Sequence, residues 1–547
     1  MVDHRGRKRP NCPSLAALTE PTRNLTERAS MTRRNFMELP AGVWTASGAG
    51  QLERSGAAGS TAGGPPDILL IMADQMTPFM TSPYGQRVAR TPHLARLAAE
   101  GVLFENAYCN SPLCVPSRTS MFTGRLPAAV GSYDNASEFQ AHWPTLMHYL
   151  RRAGYRTVVA GKCHFIGPDQ LHGFEERLTP CIFPADFSML PDWRLGPVYN
   201  KGTSVQSMLR MLGPSKWNRQ LAYDQMVFDC ALQRLRQHAL SPRKQPLFLN
   251  ISFTQPHDPF TTTPEFLELY REAEIPLPKD HGDIRRLSPT YEWFIIHHGL
   301  DREKLTPERI REARRNYLGM ISWIDDKLGQ LLRELDRLGL AAGTVVIFTS
   351  DHGEMLGEHG QWSKRLMLEW SSRVPLILRA PGRLPAGKRV AAPVALVDLF
   401  PTLAELAGAK VETPLDGQSL LPLIRGDQDS RTREVVCEYL GEGTLEPVRM
   451  VRIEHYKYIA VNNYPPQLFD LAKDPEETTN LSGRREYAAI ERSLRARAER
   501  NWDGEALKQA VMRSQQERAI VRSMREFGGA PQWDYAPFTP GPFRMQP

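Results

Sequence analysis

The sequence predicts an α/β protein, built on a large, mostly parallel sheet sandwiched by helices and followed by a smaller C-terminal α+β subdomain. Three observations predict it. Four short, unbroken apolar runs read as strands buried on both faces. Helical patterns lie between these runs, and alternating strands and helices make a parallel sheet. The 547 residues exceed one ordinary hydrophobic core, so a second, smaller unit is expected.

In chain order, residues 1–65 read as a leader and linker. The first forty carry eight Lys/Arg against four Asp/Glu, so +4 of the net charge of +7 lies there. Met31-Thr32-Arg33-Arg34-Asn35-Phe36-Met37 is similar to a twin-arginine export signal, with Leu39 to Ala49 as its weakly apolar stretch. A basic leader that stays in the cytoplasm is the other reading; export would place the protein in the periplasm. Gly56, Gly59, Gly63 and Gly64 mark a linker ending at Pro65-Pro66.

Residues 66–424 make the main domain. Its strands are Asp67 to Ala73, Tyr155 to Ala160, Leu247 to Thr254 and Thr344 to Ser350. The clearest helix runs from Pro307 to Leu338, where Ile310, Tyr317, Ile321, Ile324, Leu328, Leu331 and Leu335 recur at helical spacing. Thr306 suits its N-cap, Pro307 its first turn and Gly339 its stop. Residues 425–547 change character. Glu434 to Tyr439, Val448 to Glu454 and Tyr456 to Val461 read as short strands, and Glu486 to Arg525 as a charged helical stretch. From Phe527 the tail is rich in Pro, Gly and aromatic residues.

Composition narrows the function. There is no long basic run or nucleic-acid motif, so no nucleic-acid partner is expected. No apolar stretch is long enough to span a bilayer, so no membrane partner is expected. The seven cysteines follow no regular spacing, which argues against a disulfide scaffold or structural zinc.

In parallel sheets, ligands bind at the carboxyl ends of the strands. Polar residues stand at all four ends: Asp74-Gln75, then Lys162 and His164, then His257-Asp258, then Asp351-His352. Each alone could be a solvated loop residue. All four together, beside the run from Cys114, point to one site. That run reads Cys-Val-Pro-Ser-Arg-Thr-Ser-Met-Phe-Thr-Gly-Arg, residues 114 to 125. Its C-x-P-S-R core would arise by chance in roughly one chain of this length per thousand. Pro116 suits the first turn of a helix and Gly124 its end. Cys114 would then sit where free N–H groups favour an anion. Arg118 offers a planar fork for anionic oxygens. A small buried Cys and a surface Arg would be the bland reading; the strand-end residues weigh against it.

The same run resembles the signature of type I sulfatases of the alkaline-phosphatase-like superfamily. The resemblance implies that Cys114 is oxidised after translation by a formylglycine-generating enzyme to formylglycine (3-oxoalanine), whose hydrate supplies an oxygen nucleophile. It also implies one divalent metal ion at Asp74, Gln75, Asp351, His352 and position 114. Two carboxylates and an amide oxygen suit a hard cation such as Ca²⁺ or Mg²⁺, while His352 leaves Mn²⁺ open. Arg118, Lys162 and Lys364 would surround the sulfate oxygens. His164 and His257 are candidates for proton transfer, one to the leaving alkoxide and one from the hydrate, in an order the sequence leaves open.

A longer match narrows the resemblance. Tyr133-Asp134-Asn135, the run from Gly161 to Arg177, Pro184-Ala185-Asp186-Phe187, Pro256-His257-Asp258-Pro259, Glu438 to Thr444 and Trp533-Asp534-Tyr535 are similar to the choline sulfatases. It covers nearly everything from residue 67. It implies that a small-molecule sulfate ester is the substrate and that Asn135, Glu442 and Asp534 touch it. Asp534 would act across a subunit interface, in a homo-oligomer joined through the C-terminal tail. Two departures stand out. Met189 replaces an aromatic that would face the ammonium, and Gln255 replaces a frequent His. Losing one cation–π contact costs about 0.5–2 kcal/mol, and Phe187 or Trp193 are the aromatics at hand to compensate. Phosphonate monoester or phosphodiester hydrolases also resemble the Asp-Gln and Asp-His pairs and form the competing reading; a non-catalytic anion-binding protein of this fold is a third.

Overall fold

The structure is a computed structural model that describes residues 64–241, 245–427, 433–528 and Trp533. The expected export signal and Asp534 lie outside the described residues. The central sheet has eight strands: β1 (Asp67–Ala73), β2 (Val102–Phe104), β3 (Arg156–Gly161), β4 (Glu176–Arg177), β5 (Leu247–Ser252), β6 (Thr344–Ser350), β7 (Leu376–Arg379) and β8 (Lys388–Val390). Their order is β8-β2-β7-β6-β1-β5-β3-β4. Only β7 runs against the others.

The four strands expected from apolar runs are β1, β3, β5 and β6, and they are neighbours in the sheet. Their unbroken hydrophobicity has a plain cause. Ile68, Leu70 and Met72 of β1 pack into one core, whereas Leu69, Ile71 and Ala73 pack into another. Val345 and Ile347 of β6 join the first core and Val346 and Phe348 the second. Successive side chains point to opposite faces, and both faces are covered.

Helix α1 (Cys114–Thr123) lies on the first face, and α2 (Arg219–Ala239) and α3 (Pro307–Arg337) on the second. In α3, Thr306 Oγ1 accepts from the Arg309 N–H at 3.3 Å, Pro307 opens the first turn, and Gly339 follows at φ 68°. The N-cap, first turn and stop thus fall where the spacing puts them.

After residue 433 a second sheet forms from four antiparallel strands, β9 (Glu434–Tyr439), β10 (Val448–Ile453), β11 (Tyr456–Val461) and β12 (Tyr464–Asp470). Val435, Cys437, Tyr439, Met450, Ile459 and Phe469 from this sheet pack into the same core as β1 and β6. Hydrophobic packing thus runs across from the first sheet to the second. Helix α4 (Gly504–Ser523) follows. Its Arg518 makes a bidentate pair with Asp134, at 2.6 and 2.8 Å.

Candidate active site

Strand order explains why distant residues meet. β3, β5, β1 and β6 lie side by side, so the residues just beyond their carboxyl ends converge. Helix α1 is buried along its whole length and starts at Cys114. Gly124 ends it in a left-handed conformation at φ 67°, its N–H donating to Ser120 O at 2.9 Å. Ser117 Oγ donates to the Asp351 carbonyl at 2.5 Å, which fixes the helix against the end of β6.

Around the Cys114 thiol, His352 Nε2 lies at 3.2 Å, Lys364 Nζ at 3.5 Å and Asp74 Oδ1 at 4.0 Å. In formylglycine terms, Sγ stands where the aldehyde-derived oxygen would be. Burial alone would raise the thiol's pKa. Lys162, then Lys364 and His352, outweigh burial and hold it well below the ordinary thiol range. The position therefore favours an anion.

Asp74, Cys114, Asp351 and His352 each offer one ligand atom, all within 4.8 Å of one another, and all four are buried. Burial first, and Asp351 second, push the Asp74 carboxyl above its usual range. Burial acts the same way on Asp351, but His352 and Arg118 outweigh it and hold that carboxyl low. Asp74 already faces the Lys162 ammonium and Asp351 the Arg118 guanidinium, and the buried donor set fits a divalent ion. Gln75 stands beside the group. Its Oε1 accepts from Lys364 Nζ, its backbone N–H donates to Asp351 Oδ1 at 3.1 Å, and its φ is 66°.

Arg118 also braces the strand ends. Its Nε donates to Asp351 Oδ2 at 2.8 Å, and its Nη1 donates to Lys162 O at 2.7 Å and Ser252 Oγ at 2.8 Å. It ties together the ends of β6, β3 and β5, leaving only the buried Nη2 without a partner. Lys162 Nζ pairs with Asp74 Oδ2 and sits 4.3 Å from the Phe183 ring centroid.

His257 Nε2 and Lys364 Nζ are 2.8 Å apart, and His257 Nδ1 lies 2.8 Å from the Asp258 carbonyl oxygen. A donor at Nδ1 leaves Nε2 and Nζ to share one proton. Burial and Lys364 would lower the His257 pKa; Asp258 and Asp74 outweigh them and raise it. His164 is the opposite case. Burial lowers it to about 4, so its ring is neutral near pH 7, stacked on Phe183 at 4.6 Å.

A cavity of about 350 Å³ opens onto Cys114. Its walls include Asn135, His164, Met189, His257 and Lys364. Asn135 also has a second duty: its Oδ1 accepts from the Val115 N–H at 3.1 Å, so it caps the helix that carries Cys114. Glu442 does not line the cavity. Its Oε1 is 2.9 Å from Arg365 Nη2, and Arg365 forms the wall in front. Nor do the two compensating aromatics reach the cavity. Phe187 packs edge-on against Trp533 at 5.2 Å, and Trp193 donates from Nε1 to Gly441 O at 2.9 Å. The aromatic wall is Phe183 instead.

Sequence reasoning missed Phe183, Glu354 and Arg365. Glu354 accepts from Gln75 Nε2 and, at 2.6 Å, from the Ser363 N–H, and burial raises its pKa to about 7. Its closeness to Asp351-His352 and that of Arg365 to Lys364 were available signals. Phe183 carried none.

Comparison with known proteins agrees with the fold. A model of the sulfatase family matches residues 66–409, and a model of the N-sulphoglucosamine sulphohydrolase C-terminal region matches 357–503. The choline-sulfatase of Rhizobium meliloti (strain 1021) is 38% identical over 502 residues, 87% of this chain and 94% of that protein. Bovine (Bos taurus) arylsulfatase K is 30% identical, covering 77% of this chain and 78% of its own. Among solved structures, a protein in complex with D-glucosamine-2-N,6-O-disulfate superposes with a TM-score of 0.65 at 24% identity, over 81% of this chain and 98% of that one. The phosphonate monoester hydrolase of Agrobacterium radiobacter gives 0.63 at 25%, over 79% and 96%. With the buried acid, histidine and lysine cluster set around Cys114 at the strand ends, these matches mean that the chain belongs to the sulfatase family and is a sulfuric ester hydrolase.

Proposed function

We propose that the protein hydrolyses the sulfate ester of a small alcohol, releasing the alcohol and inorganic sulfate. Choline-O-sulfate is the reference substrate, since a relative 38% identical is named for it, and related small alkyl sulfates stand beside it. One observation carries the reading: Cys114 opens a buried helix inside a ring of Lys162, Lys364, His352 and two carboxylates, at the floor of a cavity of about 350 Å³.

Formylglycine made from Cys114 by a formylglycine-generating enzyme would supply the nucleophilic oxygen, and one divalent ion (Ca²⁺, with Mn²⁺ or Mg²⁺ as alternatives) would neutralise charge. The chain's own residues do the rest. Asp74, Asp351 and His352 would hold the ion, with Gln75 beside them. Lys162, Lys364 and the free Nη2 of Arg118 face the sulfate charge. The proton shared by Lys364 and His257 goes to the leaving alkoxide. His164, neutral near pH 7, accepts a proton from the nucleophile's side. Asp534, outside the described residues, is proposed to reach the site from a neighbouring copy in a homo-oligomer. Among the described residues no helix is long and apolar enough to cross a membrane, and export through the leader remains a proposal of its own.

The test is sulfate release by protein co-expressed with a formylglycine-generating enzyme, from choline-O-sulfate, a neutral alkyl sulfate, an aryl sulfate and a phosphonate monoester. Cys114→Ala is expected to lose at least about 10³-fold in kcat, as loss of a nucleophile does. Likeness to the phosphonate hydrolase supports the second reading. Phosphonate turnover above all sulfates would establish it and end the first.

A further inference from the structure

The selecting end of the cavity carries the wrong charge for a cation. Beyond Lys364, its walls hold Arg210, Arg219 and Arg365, and Asp258 is their one carboxylate among the described residues. Asp258 already serves the reacting end. Its Oδ1 accepts from Gln75 Nε2 at 3.2 Å and lies 3.3 Å from His257 Nδ1.

Glu442 is the carboxylate expected to face an ammonium group; Arg365 engages one of its oxygens, and the other, Oε2, is buried without a partner. Arg365 Nη2 lies 2.9 Å from its Oε1, with both side chains buried. Arg365 Nη1 donates to Ser363 Oγ at 3.0 Å, and its buried Nε has no partner. The guanidinium is held where it stands: Arg365 adopts φ 89°, rare for a residue with a side chain, and its N–H donates to Pro112 O at 3.1 Å. A guanidinium bonded to a carboxylate out of water is not displaced by an ammonium that can make no hydrogen bond. The aromatic wall offers no substitute cage. Lys162 already occupies the face of Phe183, and Met189 presents a thioether.

Resting on the sulfatase reading above, we propose that Arg365 sets the charge of the substrate. The cavity takes a sulfate ester whose alcohol carries a second oxyanion, a carboxylate or another sulfate, in preference to a quaternary ammonium. The second anion meets Arg365 directly, with Arg210 and Arg219 further along the wall.

The experiment uses the full, matured chain and four sulfate esters of similar length: choline-O-sulfate, its neutral 3,3-dimethylbutyl analogue, 4-sulfooxybutanoate and propane-1,3-diol disulfate. The parent is expected to favour at least one oxyanion-bearing ester over the neutral one by tenfold or more in kcat/KM. Carboxylate and disulfate arms separate the two sources of charge. Arg365→Met should lower that preference through KM and raise relative turnover of choline-O-sulfate, because Glu442 is released. Since Arg365→Met also leaves Glu442 buried and unpaired, Arg365→Met/Glu442→Gln serves as the second variant; its wall is uncharged, and discrimination between the four should flatten. A parent preference for choline-O-sulfate overturns the proposal while leaving the sulfatase reading intact. So does an equal loss on all four esters in both variants. Failure to release sulfate from any ester, with phosphonate turnover intact, overturns the sulfatase reading itself and this proposal with it.

Discussion

Lys364 and His257 are expected to act as one group, because Nζ and Nε2 are 2.8 Å apart, within reach of a shared proton. Each alanine substitution is expected to lower kcat by about 10²–10⁴-fold. The double variant should fall little further, since either single change already removes the shared proton. Additive losses in steady-state kinetics would refute the pairing. Much of this neighbourhood was legible in the sequence. Asp74, Lys162, His257, Asp351 and His352 all follow apolar runs, and a parallel sheet puts such residues in one place. Phe183 was not legible as a site residue, and Arg365 was marked only by its neighbour Lys364. The place of Arg365 depends on a loop with unusual backbone, Ser363 at φ 67° and Arg365 at φ 89°, and no periodicity encodes those turns. Glu442 was read as facing a ligand. Its pairing with Arg365 is a long-range contact, absent from any local pattern.

At the scale of elements, two buried carboxylates join pieces that lie far apart in the chain. Asp134 receives both ends of Arg518 from α4 and stands next to Asn135, which caps α1. Arg518→Ala leaves Asp134 buried and unpaired. It should cost about 3–5 kcal/mol, read as a lower denaturation midpoint, with Asp134→Asn/Arg518→Met recovering much of it. If Arg518→Ala melts like the parent, this link carries no load. Asp325 of α3 accepts from the N–H groups of His93 at 3.1 Å and Leu94 at 2.7 Å, in the first turn of the helix Pro92–Ala99. Burial raises its pKa to about 7 against those two bonds. From about pH 4 to about pH 7 Asp325 therefore holds a proton in the folded state that it lacks in the unfolded chain. Over that window its contribution to stability falls as pH rises, by about 1.4 kcal/mol per pH unit. Outside it the contribution is constant. Asp325→Asn should remove the slope, so that the variant gains on the parent from pH 4 to pH 7. Parallel stability curves would exclude it. The strands and α3 were readable because period and capping are local signals. The role of Asp325 was not, since its partners lie more than two hundred residues away.

For the whole molecule, the C-terminal sheet completes the main core. Val435, Cys437, Tyr439 and Met450 belong to the same continuous core as Ile68, Leu70 and Ile347. A chain ending at residue 427 would expose that face, and each large apolar side chain left bare costs about 1.5–3 kcal/mol. Such a truncation is expected to be insoluble or to lack a cooperative melt; a soluble fragment with a sharp transition would show that the main domain stands alone. Composition does not tell whether two sheets share a core.

The bracing by Arg118 has a further consequence. The reacting end rests on the sheet, where one guanidinium joins three strand ends. The selecting end rests on connections, around Phe183, Met189 and Arg365. Connections accept exchange far more readily than braced strands do. The scaffold is thus modular: its descendants can trade one alcohol for another by rewriting a few loop positions while the bond-breaking apparatus is inherited whole.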